Sequence, residues 1–318
     1  MTADIVVLRQ KTHGMSAADY AETLRERFPD RDIVRARTAA EEERLLKEVP
    51  IATGYEIDAE TVAESSLDLF ACVFAGTGHL PLDAFEDHGV AVTSAAGVHA
   101  PNVSEHAVGA VLSFARRFDV GWRRTERREW RSYQTRELAN STVTVVGLGN
   151  IGTAVAERLD PFDAHTVGVR HSPSKGGPTD EVIGYDTETV HEALSRSDYV
   201  VVTAPLSDLT EGLIDAEALR TLPPEAVIVN VGRGPIVDTD ALVDALRSNA
   251  IGGAALDVTD PEPLPEDHPL WNFDNVLITP HNAGHTPAYW DRLADILAEN
   301  LAHVDETGTY EGLKNQVV

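Results

Sequence analysis

Three polar side chains, Arg233, Glu262 and His281, each follow closely on an apolar run of strand length in the second half of the chain. After Ala226 to Asn230 comes Val231-Gly232-Arg233-Gly234, then Val237-Asp238. After Gly253 to Leu256 comes Asp257-Val258, followed by Pro261-Glu262-Pro263. After Val276 to Ile278 comes Thr279-Pro280-His281-Asn282-Ala283-Gly284. The planar fork of Arg233 can hold a carboxylate together with a neighbouring carbonyl oxygen. His281 can donate a proton to that oxygen, or take one in the reverse direction. Glu262 can hold the imidazole in place, and its charge favours the imidazolium. The set suits the reduction of a 2-oxo acid, with the hydride coming from elsewhere.

The hydride source is readable mid-chain, in Gly147-Leu148-Gly149-Asn150-Ile151-Gly152. This G-x-G-x-x-G follows the apolar run Thr142 to Val146 and opens a helical pattern from Ile151 to Leu159, the context of a dinucleotide fingerprint. Gly147 permits the tight turn, Gly149 lets backbone approach a pyrophosphate, and Gly152 lets helix and strand pack closely. The helix N–H groups and dipole then face the phosphate charge. An acidic residue about 20 residues further on would hold a ribose 2′-hydroxyl, whereas an arginine suits a 2′-phosphate. The next strand, His165 to Val169, ends in Arg170, which is 170 − 147 = 23 positions past the first glycine. NADP is therefore expected, with NAD as the alternative.

Other reactive residue types read differently. Cys72, the only cysteine, sits inside the apolar run Leu69 to Phe74 and reads as a small core residue. His281 and His285 are four apart, a spacing that on a helix could serve a metal. Gly284 and Pro287 argue against a helix there, and no metal site is expected. Glu105 and His106 fit a solvated helix face, while Tyr55 and Trp290 suit either a substrate pocket or a core.

Positioning these residues requires two alternating β/α blocks. The first has strands at Ile5 to Leu8 and near Ile33, Ile51, Leu69 to Phe74 and Val90 to Thr93, with a helix around Ser16 to Phe28. A long helical pattern then runs from Asn102 to Phe118. The segment Trp122 to Leu138 has no clean period and reads as an excursion suited to a subunit contact. The second block has strands Thr142 to Val146, His165 to Val169, Tyr199 to Thr203, Ala226 to Asn230, Gly253 to Leu256 and Val276 to Ile278. A last helix, about Pro287 to Asp305, outlasts that sheet and is expected to complete the first domain. The expected fold is α/β, with two doubly wound parallel-sheet domains, Rossmann-like and flavodoxin-like. The dinucleotide-binding domain, 99–285, is inserted into a substrate domain made of 1–98 and 286–318.

Composition bounds the partners. The 318 residues carry 52 Asp+Glu against 26 Lys+Arg, a formal charge of −26, which repels nucleic acid and anionic membrane. The lysines are only Lys11, Lys47, Lys175 and Lys314, and the acidic residues are spread throughout, as in a halophilic protein whose surface repulsion is screened by salt. The N-terminus lacks a basic region before its apolar stretch, and no apolar run reaches bilayer-spanning length, so a cytoplasmic protein is expected.

These motifs, in this order and over nearly the whole chain, resemble the D-2-hydroxyacid dehydrogenase family. The resemblance rests on 147–152, on Asn230 to Asp238, on Ala254-Ala255-Leu256-Asp257-Val258 and on 279–284. It implies that Arg233, Glu262 and His281 are the catalytic arginine, glutamate and histidine. It implies that Asp257 orients the nicotinamide carboxamide and that Ala204-Pro205-Leu206 borders the adenosine half. Val231, Gly232, Arg233, His281 and Gly284 would complete the cofactor contacts. The backbone amides of Ala75-Gly76-Thr77-Gly78 look like the family's loop for the substrate carboxylate, with Arg233 and His281 the other substrate contacts. Family members usually form dimers through the cofactor domain. Arg170-His171-Ser172, with Lys175 nearby, departs from the acid found in NAD-using members and implies NADP. Within the family, glyoxylate/hydroxypyruvate reduction and phosphoglycerate oxidation are the alternatives, and outside enzymes a dinucleotide-sensing, corepressor-like protein.

Overall fold

The computed structural model describes residues 3–12 and 14–318. The chain divides into two compact units, one running to Val98 and resuming at Thr286–Val318, the other spanning His99–His285. Each is built on its own parallel sheet.

In the first unit β1 (Ile5–Val7), β2 (Ile33–Arg35), β3 (Ile51–Gly54), β4 (Leu69–Cys72) and β5 (Ala91–Thr93) lie in the order β2-β1-β3-β4-β5. Helices α1 (Ala17–Arg27), α2 (Ala39–Leu46), α3 (Ala59–Glu64) and α4 (Leu82–Asp87) connect them. Apolar residues fill both faces, one cluster around Tyr20, Leu24 and Leu69 and another around Phe70, Phe85 and Leu46. That is why the strands read as continuous apolar runs rather than alternating ones. Helix starts are set by short polar side chains that bond the first free amides: Ser16 to Ala18, Thr38 to Glu41, Asp58 to Thr61.

The second unit opens with α5 (Ala100–Ala115) and α6 (Phe118–Glu126). Its sheet contains β6 (Thr142–Val146), β7 (His165–Val169), β8 (Glu181–Ile183), β9 (Tyr199–Val202), β10 (Val227–Asn230), β11 (Gly253–Leu256) and β12 (Val276–Ile278), in the order β12-β11-β10-β9-β6-β7-β8. Between them run α7 (Asn150–Leu159), α8 (Thr187–Ser195), α9 (Ala216–Thr221) and α10 (Thr239–Arg247). All pairings are parallel, and the order in which strands are added reverses at β6, which is flanked by β7 and β9. Ligands in such sheets bind beyond the carboxyl ends of the strands at that reversal. The last helix, α11 (Tyr289–Thr307), packs on α1 in the first unit, where Trp290 stacks on Tyr20 at 4.6 Å between ring centroids. Trp290 is thus a core residue.

Three local features differ from the sequence-based expectation. The helix expected through Phe118 stops at Ala115, because Arg117 takes φ +53° and turns the chain before α6 begins. The first part of the Trp122 to Leu138 excursion is therefore helical; α6 buries no residue, and Trp122 and Trp130 are both exposed. Finally, β8 is an additional three-residue edge strand that no apolar run announces.

Polar side chains hold β8 in place. Asp180 accepts from the amide and hydroxyl of Thr166, and Glu181 accepts from His165 at 2.7 Å and from both terminal nitrogens of Arg196. Arg196, and then His165, pull the Glu181 carboxyl down from its ordinary 4.5 to about 2. The unfolded chain binds this proton more readily, so the contribution is present above about pH 4.5 and is lost as pH falls toward 2. Exposure limits it to about 1 kcal/mol or less. Glu181→Gln should lower Tm by about 2 °C or less at pH 7, with the two melting curves converging as pH falls from 4.5 toward 2. A Tm gap that held constant over that range would deny the network any role in stability.

Candidate active site

The turn after β6 is shaped by close backbone approach. Gly147 has φ +101°, and a Cβ there would stand 2.6 Å from Ala204 Cα. A Cβ on Gly152 would overlap the Gly147 carbonyl oxygen, which already accepts the Thr203 hydroxyl at 2.6 Å. Leu148 is buried and Ile151 packs on the core, so they anchor the turn, while Gly149 and Asn150 are exposed at the N-terminus of α7. Nothing lies within 4 Å of where a Gly149 Cβ would sit. The helix's first amides, which no helical carbonyl can reach, therefore face open space that suits a phosphate.

Beside this turn is a cavity of about 330 Å³ lined by Gly147, Gly149, Arg170, His171, Ser172, Lys175 and Pro205. Arg170 donates from Nη1 to the Gly176 carbonyl, which holds it along the wall and leaves its other N–H groups available. Ala204 is buried against Gly147 and acts by packing, whereas Pro205 reaches the cavity. Tyr185, Ser207, Leu209 and Thr210 also line it, and sequence reasoning missed all four. The Thr210 hydroxyl bonds Pro205 O at 2.7 Å and the Ser207 amide at 2.9 Å, closing the 205–210 loop. Ser and Thr in a loop are a weak turn signal; Tyr185 had none.

Arg233, Glu262 and His281 follow β10, β11 and β12, which are consecutive neighbours in the sheet. Fully buried Asn230 locks the first loop, donating to Arg233 O and accepting from the Gly232 amide, both at 3.0 Å. Val231 and Gly232 are buried, and the exposed Arg233 side chain makes one bond among the described residues, from Nη1 to Gly232 O. His281 Nδ1 lies 2.6 Å from Glu262 Oε1. A carboxylate there takes the Nδ1 proton, so Nε2, which has no partner among the described residues, is the nitrogen that can exchange protons with a ligand. Both side chains are about half exposed, at 51% and 41%.

Asp257 is only 4% exposed, and its carboxylate braces the loop that carries His281. Oδ1 accepts from the Thr279 hydroxyl at 2.5 Å and the Asn282 amide at 2.8 Å, and Oδ2 accepts from the Ala283 amide at 2.9 Å. One lone pair on Oδ2 is left for a further donor. The brace has backbone to hold: His281 takes φ +51°, left-handed and costly for a non-glycine residue, while its amide bonds Asp257 O at 2.8 Å. Gly284 lies beside His99, and the turn around His285 is not helical.

One expectation needs correction. His106 does not share Glu105's exposed face; its ring is 25% exposed, with Nε2 3.2 Å from Thr279 Oγ1. Residue 106 lies one position further round α5, enough to turn it from Arg158, which pairs with Glu105, toward the β12 loop.

In the first unit, Ala75-Gly76-Thr77-Gly78 follows β4 and is largely exposed. None of its four amides donates a hydrogen bond among the described residues. Tyr55 stacks on His79 at 4.4 Å and tilts against Phe74 at 4.7 Å at the same ends of β3 and β4. Cys72 is buried nearby, its thiol pushed up to about 11 by burial, which leaves it inert.

Residues 108–283 match the family model described as D-isomer specific 2-hydroxyacid dehydrogenase, NAD binding domain. The chain belongs to this family. A glyoxylate reductase of Thermofilum pendens is 37% identical over 260 residues, covering 78% of this chain and 75% of that one. A D-3-phosphoglycerate dehydrogenase of Mycobacterium bovis is 31% identical over 307 residues, which spans 95% of this chain but only 57% of that enzyme's length. Among solved structures, a D-isomer specific 2-hydroxyacid dehydrogenase from Xanthobacter autotrophicus Py2, in complex with NADPH and MES, superposes with a TM-score of 0.78 at 30% identity, covering 100% of this chain and 98% of that one. These named relatives are reductases and dehydrogenases, which sets aside the corepressor-like alternative.

The glycine turn separates two effects. Gly149→Ala should keep Tm near the parent's while weakening dinucleotide binding at least tenfold in a fluorescence titration. Gly152→Ala should lower Tm, because its methyl group meets backbone. Equal Tm losses in both variants would contradict this assignment of roles.

Proposed function

We propose that this family member is an NADP-preferring reductase of small 2-oxo acids that yields D-2-hydroxy acids, with His281 as the acid–base group. The observation carrying the reading is the 2.6 Å contact of His281 Nδ1 with Glu262 Oε1, which leaves Nε2 unpartnered among the described residues. The dinucleotide, when bound, supplies hydride to the substrate's carbonyl carbon. Arg233 holds the substrate carboxylate and polarises the adjoining carbonyl; the amides of Ala75 to Gly78, without acceptors among the described residues, are of the kind that hold a carboxylate. His281 Nε2 gives its proton to the carbonyl oxygen, and Glu262 stabilises the imidazolium that donates it. In the oxidation direction His281 starts neutral and takes the proton. The remaining lone pair of Asp257 suits a carboxamide N–H of the nicotinamide.

The preference for NADP is supported by Arg170, Ser172 and Lys175 around the 330 Å³ cavity and by the lack of an acid at the end of β7. The names of the relatives favour two narrower readings, glyoxylate or hydroxypyruvate reduction and phosphoglycerate oxidation. Exposed Phe118, Trp122 and Trp130 support a homodimer through the second unit. The charge of −26 supports activity at high salt.

Initial rates with a panel of 2-oxo acids, each with NADPH and NADH at high and low salt, test the reading directly. No turnover of any of them would end it. Arg170→Asp should lower the ratio of kcat/KM for NADPH to that for NADH by roughly 10- to 100-fold, the range of a lost charged contact; an unchanged ratio would put the phosphate contact elsewhere. Glu262→Gln should lower reductive kcat roughly 10-fold or more, because the His281 ring loses the charged acceptor that orients it. An unaltered kcat would remove Glu262 from the mechanism.

A further inference from the structure

We propose that His106 is a positioning residue for His281, acting through Thr279 and Asp257. The proposal rests on the reading of His281 as the acid–base group. The Thr279 hydroxyl has one proton, and its 2.5 Å contact with Asp257 Oδ1, an acceptor, takes it. Thr279 Oγ1 must therefore accept from its other neighbour, so His106 Nε2, at 3.2 Å, carries a hydrogen and donates it.

The chain His106 to Thr279 to Asp257 thus runs in one direction. It ends on the carboxylate that also accepts the amides of Asn282 and Ala283, the two residues directly after His281. Among the described residues, His106 is the one basic side chain paired with this buried carboxylate, at 3.8 Å from Oδ1. A second contact comes from the same helix face: Asn102, four residues before His106, donates to Ala283 O at 2.6 Å. Helix α5 therefore grips the catalytic loop on both sides of His281, at Thr279 and at Ala283. What is held between them is a left-handed non-glycine residue whose ring must stay 2.6 Å from Glu262. Without the donor from His106, Thr279 is free to turn away from Asp257, and the His281 ring drifts from its working place. Misplacement of a reacting group by about 1 Å costs on the order of 100-fold in rate.

The test compares His106→Leu, which removes the donor, with His106→Gln, whose amide nitrogen can supply it. His106→Leu should lower kcat roughly 10- to 100-fold while dinucleotide binding stays within about twofold, and His106→Gln should recover most of that loss. The double variant His106→Leu/Thr279→Val should be little worse than the poorer single one, because both break the same chain. Independently of turnover, the imidazole signal of His281 in a ¹⁵N-histidine NMR spectrum, identified by its loss in His281→Gln, should shift in His106→Leu and return in His106→Gln. Wild-type kcat with an unshifted His281 signal in His106→Leu would overturn the proposal, as would additive losses in the double variant. A wild-type protein that turns over no 2-oxo acid would instead sink the proposed function, and the His281 signal would still decide whether His106 positions it.

Discussion

A buried carboxylate is costly unless donors surround it, and Asp257, which pairs with no arginine or lysine among the described residues, is satisfied almost entirely by the loop it organises. The constraint works in both directions. The loop after β12 cannot leave without exposing an unsatisfied charge, and the charge cannot be neutralised by a freely moving side chain. This mutual dependence lets His281 remain in a backbone region that a non-glycine residue avoids. It also ties three neighbouring strands together, since the brace leaves β11, seizes the end of β12 and sits beside the Asn230 lock at the end of β10. The ends of the parallel strands, where ladder hydrogen bonding stops, are thus stiffened by side chains where the chemistry is expected.

The remaining architecture delivers those strand ends to one edge. Parallel strands with both faces covered align their carboxyl ends, so residues far apart in sequence, such as Gly149, Arg233 and His281, stand along the same rim of one sheet. The polar clasps at the opposite rim act differently. Asp198, for example, reaches the amide of Thr142 at the start of β6 and fixes the sheet's register from behind.

Much of this rim was legible before any coordinates. Buried parallel strands must be continuous apolar runs, so the residues just past Asn230, Leu256 and Ile278 could be picked out from the chain alone, and Gly147 and Gly152 are specified by backbone contacts that no other residue type allows. What escaped has physical reasons. β8 is a half-buried three-residue edge held by side-chain charges, which leave no hydrophobic period. Arg117 breaks a helix through a backbone torsion that the neighbouring residue types do not encode. His106 was misread because its partner lies 173 residues away, and the rotation of α5 about its axis, which helical spacing leaves open, decides which of two adjacent side chains faces solvent. Tyr185 lines the cavity through loop closure, a property of the folded chain.

The second unit enters at His99 and leaves at His285, and these ends meet: Gly284 packs against the ring of His99, and Ala283 is bonded to Asn102. A segment whose ends close on each other can be lifted out or replaced without stretching the chain that hosts it. Arg170 with its cavity and the Ala75 to Gly78 loop therefore occupy separately exchangeable pieces of the polypeptide. Crossovers at the two junctions, far apart in the gene but joined in the fold, exchange one and leave the other untouched.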